Sequence, residues 1–201
     1  MSSASPVGRN AVIDLSEACR RTTAVLNNVR DDQLDAATPC AEMSLRELVA
    51  HVGGLAVAFT AAARKDLGPL TDTPPEEGGD LDPEWRSAYP ANLAELAQAW
   101  REPDAWTGMT RAGGVDLPGD VAGSVALAEV VIHGWDLARA TGQPYDVDAA
   151  TAEACLTHLT QFQASGTEGL FGPAVAVPQD APAIDRIAGR SGRDPAWSVS
   201  C

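Results

Sequence analysis

A chain of 201 residues with 45% apolar side chains is long enough to build one substantial core. A formal net charge of −14 excludes nucleic acid and anionic membrane as partners, since both select a basic surface. No apolar run is expected to span a bilayer, and the opening Met1–Pro6 lacks the basic and apolar stretches of a secretory signal, so the protein is expected to be cytoplasmic. The four cysteines, Cys19, Cys40, Cys155 and Cys201, form no Cys-x-x-Cys pair and are expected to be free thiols. Cys40 reads as a small buried hydrophobe, because no base lies near it in the sequence to activate it.

Helical spacing of Val12, Leu15, Cys19, Thr22, Val25 or Leu26, and Val29 predicts a first helix from about Val7 to Val29. Ser44-Leu45-Arg46-Glu47 reads as a capping box that opens a second helix reaching about Arg64. The buried stripe of that helix is predicted to be Leu45, Leu48, Val49, Val52, Leu55, Ala56 and Phe59, with His51 pointing inward or along its edge. Gly53-Gly54 lowers helix propensity there and leaves room for a neighbour or a ligand. Residues 68–83, rich in Gly, Pro, Asp and Glu, read as an exposed acidic loop.

A third helix carries Trp85, Tyr89, Leu93, Leu96 and Trp100 on one face as core. Pro90 predicts a kink, or a helix beginning near Ala91. Residues Trp106–Pro118 read as a hairpin turning at Gly113-Gly114. A fourth helix runs from about Val121 to Ala140 and closes at Gly142. Asp148 caps a fifth helix to about Ala164, with Ala152, Cys155, Leu156, Leu159 and Phe162 inward, and a short helix follows near Ala183–Gly189. Helices with a single hairpin predict an all-α bundle.

Three histidines occur in the chain. Glu129 and His133 are four apart, hence on one helix face, and can grip the same divalent ion. His51 is the best-placed third donor. Each histidine alone would read as a satisfied core residue. A glutamate buried on the same face as His133 is costly unless it is paired or bound to metal. Two histidines and a glutamate with one open position make the donor set of a catalytic zinc site. Such a site can activate water or a thiol. Asp136 could hold the second ring nitrogen of a ligand histidine; a helix-end cap or a surface pair with Arg139 accounts for it equally well. Trp135 reads as packing, and His158 as structural or exposed.

The segments Thr38-Pro39-Cys40, Ser44-Leu45-Arg46-Glu47-Leu48-Val49-Ala50-His51-Val52-Gly53-Gly54 and His133-Gly134-Trp135-Asp136-Leu137-Ala138-Arg139-Ala140-Thr141-Gly142-Gln143 resemble the DinB-like metal-binding family. The branch they resemble is that of the mycothiol-dependent maleylpyruvate isomerases, and the run from Phe171 to Pro195 resembles its short members. The resemblance implies an antiparallel four-helix bundle over residues 1–145, with a short β-hairpin. Residues 146–201 would form a C-terminal helix and an extended tail packed on it. It further implies a divalent metal, zinc or nickel, held by His51, Glu129 and His133, with Asp136, Arg139 and Trp135 as supporting or substrate-facing residues. Mycothiol would be the thiol cofactor, a small electrophile the substrate, and a homodimer the assembly. The resulting activity is isomerisation or S-transfer. The rival readings are a non-catalytic metal- or small-molecule-binding protein and a thiol-independent metal hydrolase. Two departures stand out. Met43-Ser44 replaces the family's Trp-Thr or Trp-Asp, which removes an aromatic wall, and the chain is too short for the full additional C-terminal domain expected of the isomerase.

Overall fold

The computed structural model describes residues 12–74, 80–164 and 172–199, with backbone alone over 162–164. In chain order the elements are α1 (Ser16–Leu26), α2 (Leu45–Arg64), α3 (Pro69–Asp72), α4 (Trp85–Ala99), β1 (Met109–Ala112), β2 (Val115–Pro118), α5 (Gly119–Thr141), α6 (Ala149–Ala164) and α7 (Ala183–Arg190). Helices α2 and α1 each pack against both α4 and α5, which closes a four-helix ring. Helices α6 and α7 pack on each other and against α5. The two strands pair antiparallel with Ala112 opposite Val115, so Gly113 and Gly114 make the two-residue turn. Both have positive φ (58° and 80°), as the hairpin's twist demands.

Local sequence signals account for most element ends. Ser44 N–H donates to Glu47 Oε2 at 2.7 Å and Glu47 N–H to Ser44 Oγ at 3.4 Å, so the capping box forms. Every residue of the predicted α2 stripe is buried. Gly142, at φ 69°, caps α5, and Asp148 Oδ1 accepts the Thr151 N–H of α6 at 2.9 Å. Helix α1 starts later than predicted. Asp14 Oδ1 takes the Ser16 N–H at 2.9 Å, which fixes the entry there, and Val12 is exposed rather than part of the stripe. The predicted turn from Val7 to residue 11, the Phe162 side chain, Phe171 and Cys201 lie outside the described residues.

Two further expectations are corrected. The acidic segment after residue 68 contains the short helix α3, whose Thr71 carbonyl accepts the Gly114 N–H of the hairpin at 2.8 Å. Helix α4 runs through Pro90 from Trp85 without starting anew at Ala91. A proline in a helix interior costs about 3 kcal/mol. Burial of Trp85 and Tyr89, each worth roughly 1.5–3 kcal/mol, offsets it. The close approach anticipated at Gly53 is made by Tyr89: a Cβ on Gly53 would sit 2.5 Å from the tyrosine ring.

Contrary to the sequence expectation, two helices, Leu45–Arg64 and Gly119–Thr141, are long and apolar enough to cross a membrane. Both are helices of the bundle. Within the apolar window of α5, 89% is buried inside the protein, which is why its sequence is apolar nearly all round.

Candidate metal centre

The packing of α2 on α5 brings together residues 78 positions apart. His51, on α2, meets Glu129 and His133 on α5, and one ligand atom from each lies within 4.8 Å of the others. Among the described residues no other group of three such donors forms. The His51 and His133 rings stand edge to face, 5.0 Å between centroids at 86°. His133 Nε2 lies 3.1 Å from Glu129 Oε2. Its other nitrogen, Nδ1, lies 3.1 Å from Asp136 Oδ2. The i, i+4 and i, i+3 spacings on one helix thus place a carboxylate at each ring nitrogen. Glu129 and His133 are buried, Asp136 is wholly so, and His51 is half-buried at the rim.

Burial and the neighbouring His133 push His51 down to about 4, so its ring is neutral at ordinary pH. Burial alone would lower His133 too, but hydrogen bonds to Asp136 and Glu129 prevail and raise it to about 9. Burial would raise Glu129; the His133 hydrogen bond and the nearby positive groups outweigh it and hold the carboxyl below its ordinary range. The cluster is therefore built to hold positive charge between two carboxylates.

The donors fit a divalent cation. Ligands bonded at about 2.0–2.1 Å to one tetrahedral ion stand roughly 3.3 Å apart, so the cluster needs only a small contraction to reach that spacing. His51 Nδ1 is buried without a hydrogen-bond partner. Such an orphaned atom costs about 1–3 kcal/mol, which a cation among these donors would offset. By accepting a hydrogen bond from Nδ1–H, Asp136 fixes the His133 tautomer that leaves the Nε2 lone pair for the shared position.

Of the supporting residues proposed from the sequence, only Asp136 joins the cluster. Arg139 faces away. Its Nη2 donates to the carbonyls of Pro195 at 2.5 Å and Trp197 at 2.7 Å, and it lies over the Trp135 ring at 5.5 Å. It anchors the C-terminal tail, and Trp135 packs in the core. The physical reason is helical phase: six residues, about 240° of helical turn, separate His133 from Arg139, so the arginine leaves the helix on another side and reaches the tail. His158 is buried on α6, close enough to Glu129 to feel its charge, and not exposed.

One residue escaped the sequence analysis. Arg193, in the tail, donates from Nη2 to Asp136 Oδ2 at 3.2 Å and from Nε to Oδ1 at 3.4 Å. Its signal was the glycine before it. Gly192, at φ 84°, ends α7, with Gly192 N–H bonded to Gly189 O (3.1 Å) and Arg193 N–H to Ala188 O (2.9 Å). That is a Schellman cap, and it fixes where the next side chain leaves the helix. The Cys40 thiol lies within electrostatic reach of Arg193, Asp136 and Glu129; burial raises it, so it stays a thiol.

Comparison with known proteins agrees with this geometry. Residues 15–138 match the family described as mycothiol maleylpyruvate isomerase N-terminal domain. Two uncharacterized proteins from two strains of Mycobacterium tuberculosis are 30% identical over 173 residues, covering 85% of this chain and 90% of theirs. A crystal structure of the mycothiol-dependent maleylpyruvate isomerase shares the fold with TM-score 0.62 at 18% identity, covering 94% of this chain and 90% of that one. A histidine-to-alanine mutant of the isomerase gives TM-score 0.60 at 19% identity over 90% and 89%. The chain spans about nine tenths of the solved isomerase chains. A match over most of the bundle, with relatives of the same length, leads to one conclusion: the chain belongs to the mycothiol maleylpyruvate isomerase N-terminal domain family, with the DinB-like four-helix fold.

Proposed function

We propose that the protein is a divalent-metal-dependent enzyme that uses a low-molecular-weight thiol, mycothiol, to isomerise a small electrophile or to transfer the thiol's sulfur to it. The observation that carries this reading is the convergence of His51, Glu129 and His133 around one buried point, with an orphaned histidine nitrogen among them. The family supplies the thiol.

His51, Glu129 and His133 would hold the cation, zinc by the donor set. When bound, it supplies positive charge that lowers the proton affinity of a ligand in the remaining position. The chain's own groups do the rest. Asp136 accepts a hydrogen bond from His133 Nδ1–H and so holds the ring in one orientation. The burial of Glu129 and His133 excludes water on the core side, while half-buried His51 leaves the approach on the solvent side. A thiolate delivered there can add to an electron-poor double bond. A carbon–sulfur bond forms, the former double bond rotates as a single bond, and loss of the same thiolate restores it in the other configuration. If the neighbouring carbon takes a proton first, the carbon–sulfur bond stays and the outcome is S-transfer.

Cobalt substitution with and without mycothiol tests the reading. A sulfur-to-cobalt charge-transfer band that appears only with the thiol is expected. Full turnover of an activated substrate without thiol would instead favour a hydrolase, and absence of both band and turnover a binding protein.

A further inference from the structure

The tail and the bundle hold each other through two arginines. Arg139 of α5 grips the tail carbonyls at 195 and 197, and Arg193 of the tail grips Asp136 of α5. Asp136 is fully buried, and among the described residues its polar side-chain partners are His133 Nδ1 and Arg193. Arg193 also donates from Nη1 to Ser191 O at 2.9 Å, so its guanidinium is fixed at three nitrogens. Its place in the chain is fixed too, by the Schellman cap at Gly192, where a Cβ would meet Gly172 at 2.8 Å.

We propose that Arg193 is a positioning residue for the metal centre: by clamping both oxygens of Asp136 it locks the orientation of His133, and thereby sets how tightly the three donors hold a divalent cation. This rests on the metal reading above. The effect is one of geometry. An Asp136 free to rotate would no longer aim an oxygen at Nδ1, and His133 would lose the contact that fixes its ring. With Arg193 present, the two carboxylates and one guanidinium carry a net single negative charge. A divalent cation makes that +1, and an anionic fourth ligand brings it to neutrality. Without Arg193 the assembly is one charge more negative, which by itself attracts a cation more strongly, so a loss of zinc affinity on removing Arg193 reports the lost positioning of His133. The tail therefore completes the centre from outside it. A forked donor is required, since a lysine cannot hold both oxygens in one plane.

The test is a double-mutant cycle read by chelator-competition titration of zinc into the full-length, metal-free protein. Arg193→Gln is expected to weaken zinc binding about 10- to 100-fold, the usual loss when a partner of a ligand histidine is removed. In an Asp136→Asn background the same change is expected to cost less than about threefold, because the route through Asp136 is already gone. Arg193→Lys, which keeps the charge and spares the fold should the glutamine variant not fold, is expected to fall between wild type and Arg193→Gln. Wild-type affinity in both Arg193→Gln and Arg193→Lys, or equal losses in the two backgrounds, overturns the proposal while leaving the metal site intact. Failure of the wild type to bind zinc overturns both.

Discussion

Two charged regions of this molecule differ in nearly every respect. One is a cleft of about 910 Å³ lined by Arg64, Lys65, Glu95, Glu102, Asp104 and Thr107. The other is the small cluster of His51, Glu129 and His133. They lie near opposite ends of α2, since twelve residues from His51 to Ala63 span roughly 18 Å of helix. In the cleft the charges satisfy one another in solvent: Arg64 pairs with Glu95 at 2.7 Å, and Lys65 donates to the Thr107 carbonyl. In the cluster, carboxylates and imidazoles pack together with Glu129, His133 and Asp136 buried, His51 half-buried and one nitrogen left unpartnered. Size does not identify the site. Among the described residues, buried carboxylates occur at this cluster alone, which is where a ligand can offset their cost.

Removing metal is expected to produce the largest contrast. A cation present at 100 times its dissociation constant stabilises the fold by about 2.7 kcal/mol, so a strong chelator should lower Tm by roughly 5–10 °C. The same drop in an Arg64→Ala variant, measured by calorimetry, would show that the cleft has no part in it. A smaller loss is expected for Gly53→Ala, whose added carbon would lie 2.5 Å from the Tyr89 ring beside the His51 turn. Overpacking of this kind costs about 1–3 kcal/mol, and urea denaturation of the metal-free protein measures it.

The metal-free protein should also be most stable near pH 6.5. His133 sits at about 9 when folded, above its ordinary 6.5, so its contribution is full below 6.5 and is lost as pH rises through 9. His51 sits at about 4, so stability is lost as pH falls from 6.5 toward 4, where the unfolded chain takes a proton that the folded one refuses. Each flank is limited to about 1.4 kcal/mol per pH unit by its one proton. A monotonic stability profile between pH 4 and 9 would contradict the assignment of these two rings. The smallest effect is expected in the cleft. The Arg64–Glu95 pair is about half exposed on both sides, so Glu95→Ala should change stability by at most about 0.5 kcal/mol and zinc affinity not at all.

Features written in local sequence were legible. The Ser44–Glu47 box, the α2 stripe, the Gly142 cap and the i, i+4 pair Glu129–His133 each depend on a few neighbouring residues. His51 needed the packing of α2 on α5, and the family resemblance supplied that. What escaped depends on tertiary distance. Arg193 reaches Asp136 across 57 residues, and no periodicity links them. Arg139 looked like a site residue by sequence proximity, yet helical phase and length carry it to the tail. Proline propensity suggested a break at residue 90 that the burial of Trp85 and Tyr89 overrides. The apolar run of α5 is longer than the sequence reading allowed, and it is a core helix enclosed by its neighbours.

The most direct measurement is metal content of the purified protein beside its His133→Ala variant, both taken through the same metal-loading and desalting steps. One divalent cation per wild-type chain, with almost none in the variant, is the result predicted by donors converging from α2 and α5. Full metal content in the variant, or none in either protein, would contradict it.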